Sequence, residues 1–314
     1  MSADQHKGLI IRHTGSQYMV RNDAGGQHVL CTVRGKLRLK DMKTTNPIAV
    51  GDKVVFEESN PGEGVIIEVM PRRNYIIRKS SNLSRQAHIL AANIDRAYLV
   101  VTLRYPQTNY EFIDRFLVTA EAYKIPVTLV VNKLDLYTSE ELKEEQAYFR
   151  YVYNGTAAYP VIETSALENK GIDTIRSQIK GNICLFSGNS GAGKSTLLNA
   201  IDPSLDLKTE AISDAHHKGT HTTSFYEMFE TADGFIIDSP GIKGFGLIDI
   251  DKSELYHFFP EMFREAANCK FNMCTHTHEP GCAVKKAVEE GIISKSRYIS
   301  YLKIMEGDED SKYR

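Results

Sequence analysis

The chain has 314 residues, of which 42% are hydrophobic and 25% are charged, and its formal net charge is −2. This is an ordinary globular composition on a length that allows two or three domains, so disordered and fibrous classes are excluded. No apolar run reaches the eighteen residues of a membrane span and the first eight residues are polar, so we expect a cytoplasmic protein with no membrane partner and no secretory signal.

The first eighty residues predict a small β-barrel of antiparallel strands. Short apolar stretches alternate there with turns that contain Gly, Asn and Asp, a pattern typical of such strands. Up to Ser80 the chain carries thirteen Lys and Arg residues against eight Asp and Glu, a local charge of about +5. The near-neutral total therefore conceals a basic N-terminal module, and the remainder of the chain carries about −7.

A row of cations in this module predicts an RNA-binding face. Basic residues recur at every second position, which places them on one face of a strand: Arg34, Lys36, Arg38 and Lys40. Such a row repels itself, so an anionic ligand is favoured, and OB-type barrels are common platforms for single-stranded nucleic acid. The alternative is an ordinary solvated surface.

A parallel sheet is expected to begin after the barrel. Residues 95–102 have the apolar character of its first strand, and Phe112, Phe116 and Leu117 follow at helical spacing. We place the boundary between the two domains near Asn82.

Residues 132–135 form an N-K-x-D sequence that predicts a guanine-reading loop. They end the apolar strand 127–131, and open α/β sheets place ligand contacts at the carboxyl ends of their strands. The Asp135 carboxylate can accept two hydrogen bonds from the ring N–H and the exocyclic amine of guanine, groups that adenine presents differently. Taken alone, the tetrapeptide could also be a polar strand-to-helix turn. With the S-A-L sequence after the next strand, the predicted base-contacting residues are Asn132, Lys133, Leu134, Asp135, Ser165 and Ala166.

Residues 188–195 match the phosphate-loop pattern G-x-x-x-x-G-K-[ST] and follow an apolar strand. Glycines in this pattern let consecutive N–H groups turn towards the phosphates, Lys194 supplies positive charge, and the Ser195 hydroxyl can ligate Mg²⁺. The helix that follows adds its N-terminal dipole to the anion site. The alternative is a chance glycine-rich turn. The predicted phosphate-binding residues are Gly188, Asn189, Ser190, Gly191, Ala192, Gly193, Lys194, Ser195 and Thr196.

Two elements further along the chain complete the predicted nucleotide site. Residues 235–241 read as a strand ending in D-x-x-G, where Asp238 would hold Mg²⁺ through water and the Gly241 N–H would meet the γ-phosphate. Residues 218–223 resemble a first switch loop, in which Thr222 or Thr223 would close over Mg²⁺. The base-reading loops thus precede the phosphate loop, a circular permutation of the usual GTPase order. The permutation leaves the site intact because each loop still follows the carboxyl end of a strand.

The C-terminal region carries a predicted metal site. Three cysteines lie within fourteen residues beside histidines, which in a reducing compartment indicates a metal rather than disulfides. The spacing Cys-x4-Cys-x-His-x5-Cys offers three thiolates and one imidazole, a closed tetrahedral set that leaves no place for water, so the ion would be a structural zinc. His278 competes with His276 for the histidine position. Cys31 and Cys184 lie in predicted strands, and we expect ordinary buried thiols there.

Taken together, the motifs resemble the circularly permuted, ribosome small-subunit-dependent GTPases, the RsgA or YjeQ family. They are N-K-x-D, S-A-L, G-x-S-G-x-G-K-S, x-H-T-T, D-S-P-G and the cysteine-rich tail, and they extend over nearly the whole chain. The resemblance implies a GTPase that binds the small (30S) ribosomal subunit and its rRNA and assists its late maturation, with subunit-stimulated hydrolysis of GTP to GDP. It favours His276 over His278, so the implied zinc ligands are Cys269, Cys274, His276 and Cys282.

The resemblance also implies an architecture. We expect an α/β protein with an OB-fold RNA-binding barrel over residues 1–80 and a permuted GTPase domain, with a mostly parallel sheet, over residues 81–248. A zinc-binding, mainly helical domain would follow over residues 249–314. The expected ligands are GTP or GDP with Mg²⁺ and one structural zinc, and we expect a monomer.

The group that orients the attacking water is not the usual one. Many GTPases place a Gln directly after D-x-x-G, but Ile242 stands there and cannot orient water. The candidates are His221, a main-chain group and a group of the partner, and the resemblance assigns the catalytic role to His221. The alternative is that His221 packs or contacts RNA. Because the usual water-orienting Gln is missing, GTP turnover should be slow until a partner orders the loop that carries His221.

Two other functions fit parts of the sequence. One is a GTP-gated RNA-binding switch without a role in ribosome assembly, and the other is a plain metabolic nucleotidase. The basic barrel and the zinc module argue against the nucleotidase, because a small-molecule enzyme needs neither.

Overall fold

The computed structural model of the chain describes residues 4–33, 48–79, 87–208, 227–238 and 250–307. The described residues form a barrel, a central α/β sheet and a C-terminal helical region, in that order along the chain.

Five strands close the N-terminal barrel in the order β1-β2-β3-β5-β4, with β4 pairing back to β1. The pairs are antiparallel except β3 and β5, which run parallel. The barrel interior is filled by apolar side chains that include Ile10, Val20, Phe56 and Ile66, all fully buried. This confirms the predicted OB-type barrel, but the expectation that all its strands are antiparallel was wrong, because β3 and β5 run side by side in parallel. Its strands are β1 (Gln5–Thr14), β2 (Gln17–Asn22), β3 (His28–Val33), β4 (Lys53–Asn60) and β5 (Glu63–Val69).

The middle of strand β1, residues 8–11, is buried on both sides, which explains its unbroken apolar run. Ile10 packs inside the barrel, whereas Leu9 and Ile11 belong to the hydrophobic cluster of the central sheet. On the next strand, Arg21 donates from Nε to Glu230 at 2.7 Å. The barrel therefore packs against the central domain by an apolar strip with an ion pair beside it.

A two-stranded antiparallel sheet of β6 (Tyr75–Lys79) and β7 (Ala87–Ala92) lies between the barrel and the central sheet along the chain. Just before it, Arg72 makes two 2.6 Å bonds to the fully buried Asp52 carboxylate of the barrel. The predicted boundary near Asn82 lies outside the described residues and stays a prediction.

The central sheet has six strands in the order β10-β9-β8-β11-β13-β12. Five are parallel, and the edge strand β12 runs antiparallel to β13. Strands β9 and β11 are buried along their whole length because helices cover both faces of the sheet. The strands are β8 (Arg96–Val101), β9 (Val127–Val131), β10 (Val161–Glu163), β11 (Ile183–Gly188), β12 (Glu227–Glu230) and β13 (Phe235–Asp238).

In the part of the chain that the structure describes, four α-helices follow strands of this sheet, and side chains cap two of them. Asn109 accepts a hydrogen bond from the Glu111 N–H at the start of α1, and Ser139 does the same for Leu142 at the start of α2. Helix α2 continues as a π-helical turn over Tyr151–Thr156. The helices are α1 (Tyr110–Ala122), α2 (Glu140–Arg150), α3 (Ile172–Ile179) and α4 (Lys194–Ile201). Short 3₁₀ turns occupy Leu134–Leu136, Pro203–Leu205 and Lys252–Phe258.

Residues 250–307 of the C-terminal region contain three α-helices around a small core that also receives Val118 from α1. They are α5 (Pro260–Ala266), α6 (Ala283–Glu289) and α7 (Lys295–Glu306). Together with the barrel and the mostly parallel sheet, this confirms the predicted fold class. Among the described residues, none of the helices combines the length and apolar character that a bilayer-spanning helix requires.

Candidate nucleotide site and metal centre

The phosphate loop connects the buried strand β11 to helix α4. A Cβ added to Gly188 would lie 2.4 Å from the Val100 carbonyl oxygen, so only glycine fits beside β8. Gly191 and Gly193 have φ values of +80° and +83°, a region that favours glycine. Ser190 and Gly191 are exposed, which leaves the rim of the loop open to a ligand.

Lys194 and Asp238 meet in the described structure as a direct ion pair between the ammonium and the carboxylate. Both side chains are largely shielded from solvent. Lys194 opens α4 and Asp238 ends β13, the strand next to β11, so the sheet itself brings the two motifs together. A cation suited to phosphate and a carboxylate suited to Mg²⁺ thus share one place.

The N-K-x-D loop is bonded directly to the phosphate loop. Asn132 is buried, donates from Nδ2 to the Ala192 carbonyl at 3.0 Å, and accepts at Oδ1 from the Thr164 hydroxyl at 3.0 Å. Two loops that lie 60 residues apart in sequence are therefore held at one edge of the sheet by one amide. Lys133 adopts φ +64°, and burial lowers the pKa of its ammonium while Asp135 opposes that shift.

The second predicted base-contacting loop joins the same cluster. The Ser165 hydroxyl donates to Asp135 Oδ1 at 2.5 Å, which fixes the carboxylate, and the Leu134 N–H donates to the Thr164 carbonyl at 3.0 Å. Ala166 is half-buried against the core beneath α4. The Thr164 hydroxyl, which bonds Asn132, was not among the predicted site residues, and only its position directly before S-A-L marks it in the sequence.

Several predicted functional residues lie outside the described residues. They are Arg34, Lys36, Arg38 and Lys40 of the barrel, and His221, Thr222, Thr223, Gly241 and Ile242 of the two switch segments. Their roles stay predictions.

The predicted metal ligands form a compact cluster in which Cys274, His276 and Cys282 are buried and Cys269 is half-buried. The three sulfur atoms of Cys269, Cys274 and Cys282 and a ring nitrogen of His276 all lie within 4.8 Å of one another. His276 is 1% exposed, whereas His278 is exposed, so the structure brings His276 into the cluster. Cys31 and Cys184 are buried in strands as predicted, and burial raises the pKa of each thiol to about 12.

The distances within this cluster suit a tetrahedral ion. His276 Nδ1 lies 3.6 Å from Cys269 Sγ and 3.4 Å from Cys282 Sγ, and these two sulfurs are 4.0 Å apart. A tetrahedron with zinc–sulfur bonds of about 2.3 Å has edges of about 3.8 Å between sulfurs and slightly less between sulfur and nitrogen. The donor set and its spacing therefore fit zinc.

A carboxylate of the cysteine-rich tail, to which the sequence assigned no role, shapes the loop that carries His276. Glu279 accepts hydrogen bonds from the Thr275 N–H at 2.8 Å, the Thr275 hydroxyl at 2.6 Å and the Thr277 N–H at 3.1 Å. These bonds lower the pKa of Glu279 to about 2, although burial opposes them. Tyr298 and Tyr301 of α7 donate to the backbone carbonyls of His276 and Thr275. The loop that carries His276 is therefore held by hydrogen bonds from Glu279 and from the two tyrosines of α7.

The sheet, the phosphate loop and the bonded N-K-x-D and S-A-L loops define a P-loop GTPase of circularly permuted order. Comparison with known proteins agrees with this class. The chain matches the family models "RsgA N-terminal domain" over residues 7–66 and "RsgA GTPase" over residues 69–248. It therefore belongs to the RsgA GTPase family.

Relatives match along the whole chain. A protein of Bacteroides fragilis named "Small ribosomal subunit biogenesis GTPase RsgA" is 54% identical over 310 residues, covering 98% of this chain and 99% of the relative. A protein of the same name from Christiangramia forsetii is 50% identical over 309 residues, covering 97% of each chain.

Solved structures share the fold. The crystal structure of YjeQ from Thermotoga maritima has a TM-score of 0.81 at 34% identity and covers 99% of this chain and 100% of its own. That of YloQ, described as a circularly permuted GTPase, has a TM-score of 0.76 at 29% identity and covers 99% and 97%.

Proposed function

We propose that this protein is a GTPase that binds the small ribosomal subunit and assists its maturation, with GTP hydrolysis stimulated by the subunit. The observation that carries the proposal is the Ser165–Asp135 contact, because it fixes a guanine-reading carboxylate at the edge of the sheet where Asn132 joins the base loop to the phosphate loop. The names of the full-length relatives supply the ribosomal context.

In this proposal the nucleotide lies across the carboxyl edge of the sheet. The Asp135 carboxylate accepts from the guanine ring N–H and amine, and the backbone of residues 188–196 receives the phosphates. Lys194 leaves Asp238 for the β and γ oxygens, and Asp238 turns to the Mg²⁺ that accompanies GTP. The Ser195 hydroxyl, with Thr222 or Thr223, would ligate that ion, which neutralises charge on the phosphates. The Gly241 N–H would meet the γ-phosphate.

Hydrolysis in this proposal depends on His221. Phosphoryl transfer needs positioning and electrostatic stabilisation more than covalent chemistry by the protein, so a loop that carries His221 can be completed by a partner. The small subunit is that partner, and it raises turnover by ordering the water-positioning group.

The outer regions hold the RNA partner. The cation row Arg34, Lys36, Arg38 and Lys40 meets rRNA phosphates, and one zinc ion bound by Cys269, Cys274, His276 and Cys282 fixes the shape of the C-terminal domain. The donor distances of the metal cluster and the basic charge of the barrel sequence support these assignments. We place the protein in the cytoplasm as a monomer of three domains, over residues 1–80, 81–248 and 249–314.

Co-sedimentation with separated ribosomal subunits tests the proposal. With a non-hydrolysable GTP analogue the protein should pellet with small subunits and not with large ones, and less should pellet with GDP. Small subunits should also accelerate GTP hydrolysis, and His221→Ala should retain GTP affinity but lose most of that acceleration. Lys194→Ala serves as the variant deficient in the nucleotide site. GTP hydrolysis without subunit binding would instead favour an RNA-binding switch that has no ribosomal role.

A further inference from the structure

We infer that Thr102, at the carboxyl end of β8, is a positioning residue that holds the base-loop lysine Lys133 ready for a guanine nucleotide. No sequence motif singles out this threonine, which lies in the segment 102–109 between β8 and α1. The inference rests on the proposed function, since it concerns the affinity of that same site for nucleotide.

Two buried threonines close segment 102–109 into a tight loop. Thr102 is 1% exposed and its hydroxyl donates to the Pro106 carbonyl at 2.5 Å. The Thr102 N–H donates to the Thr108 hydroxyl at 3.0 Å, and the Thr108 N–H donates back to the Thr102 carbonyl at 2.8 Å. The loop backbone between the two threonines is therefore fixed by three hydrogen bonds.

The tip of this loop touches both halves of the nucleotide site. The Tyr105 carbonyl accepts a hydrogen bond from Lys133 Nζ at 2.6 Å. Pro106 lies against the phosphate loop so closely that a Cβ on Gly191 would come within 3.2 Å of its Cδ. By fixing the loop, Thr102 therefore sets the position of the Tyr105 carbonyl that accepts the hydrogen bond from Lys133.

Fixing Lys133 matters because its side chain is long and has four rotatable bonds. The lysine stem is apolar surface next to Asp135, so a purine whose edge is read by Asp135 can lie against it. A lysine that is already ordered in the free protein loses less conformational entropy when nucleotide binds. Release of the Tyr105 carbonyl from its place would therefore weaken nucleotide binding without touching the phosphates.

A purely structural role for Thr102 makes a different prediction. The hydroxyl would then only satisfy a buried carbonyl, and its removal would lower stability while leaving nucleotide kinetics unchanged. Thr119 provides the matched control. It is also 1% exposed, and its hydroxyl donates to the Arg115 carbonyl at 2.9 Å within α1, away from the nucleotide loops.

The experiment compares Thr102→Val, Thr102→Ser and Thr119→Val in the full-length protein. The dissociation rate of N-methylanthraniloyl-GDP is measured by stopped flow, and the melting temperature by calorimetry. Thr102→Val should release the nucleotide about three- to tenfold faster, the effect of one lost hydrogen bond. Thr102→Ser should restore most of the wild-type rate. Thr119→Val should keep the wild-type rate, and any loss of stability in that variant should leave nucleotide release unchanged.

A double-mutant cycle with Lys133→Ala shows whether Thr102 acts through the lysine. Lys133→Ala should itself accelerate release, and adding Thr102→Val should then change the rate by less than about twofold. An undiminished effect of Thr102→Val in the Lys133→Ala background overturns the inference, as does a wild-type release rate in Thr102→Val alone. Equal affinity of the wild type for GDP and ADP would instead overturn the guanine site on which the inference rests.

Discussion

Arg297 and Asp114 form an ion pair in which both side chains are fully buried, with 2.8 Å between Nη1 and Oδ1. Arg297 lies on α7 of the C-terminal region and Asp114 on α1 of the central domain. Arg297 also donates from Nε to Glu261 at 2.7 Å and stacks over the Phe259 ring at 4.6 Å. One guanidinium therefore links the metal-bearing region to the helix that begins directly after the Thr102 loop.

Arg297→Met should destabilise the protein by about 3–5 kcal/mol, because it leaves two buried carboxylates without their cation. Chemical denaturation followed by circular dichroism measures the loss. Arg115→Met is the control, since Arg115 pairs with Glu111 at a partly exposed site, and it should lower stability by about 1 kcal/mol or less. Equal losses in the two variants would contradict the special role of Arg297.

Nothing in the sequence around Arg297 predicts its burial. In a helix that also carries Lys295 and Lys303, an arginine reads as part of a solvated face, and its two carboxylate partners lie 36 and 183 residues away. The same limit applies to Lys133, whose partner is a backbone carbonyl and so leaves no mark in the residue pattern.

The nucleotide loops were predictable for a topological reason. Each motif follows an apolar strand, and parallel strands deliver their carboxyl ends to one edge, so Asn132 and Ala192 were expected at the same edge. Their direct bond is not dictated by that rule, because β8 lies between their strands in the sheet. In β1 the run Leu9, Ile10, Ile11 correctly predicted a strand. It did not reveal what covers the outer face of the strand. Burial on both sides removes the alternation of apolar and polar residues, but the sequence does not show that the covering residues belong to the central domain.

Asp135→Asn should change the base that the protein prefers. Xanthine has a carbonyl where guanine has its exocyclic amine, and the amide of the asparagine can donate a hydrogen bond to that carbonyl. GTP should therefore bind more weakly and xanthosine triphosphate more tightly. Competition binding with both nucleotides measures the switch. Ser165→Ala, which removes the hydrogen bond that fixes the Asp135 carboxylate, should weaken the binding of GTP without improving that of xanthosine triphosphate. A wild type that binds ATP as well as GTP would remove Asp135 from base recognition.

Cys274→Ser should release about one equivalent of zinc and loosen the C-terminal region, because the binding of a structural ion is coupled to folding. Elemental analysis of protein purified without chelator measures the metal, and hydrogen exchange measures protection of α6 and α7. His278→Ala is the control, since its exposed ring lies two residues from His276, and it should keep both metal and protection. GTP binding should survive in both variants. Wild-type protein that lacks zinc would contradict the assignment.

Replacing Lys36 and Arg38 together with Gln should weaken binding to the small subunit and flatten its salt dependence. Both residues lie outside the described residues, and the prediction rests on their every-second-residue spacing. Each phosphate that a cation neutralises releases condensed counterions, so the slope of log affinity against log salt should decrease by on the order of one unit or more. Binding isotherms at several salt concentrations measure this slope.

A Lys143→Gln, Lys286→Gln variant removes the same charge from exposed helix ion pairs and should keep the wild-type slope. Intrinsic GTP hydrolysis without subunits should be unchanged in both. Superimposable isotherms for wild type and the barrel variant would mean that the row is only a solvated surface.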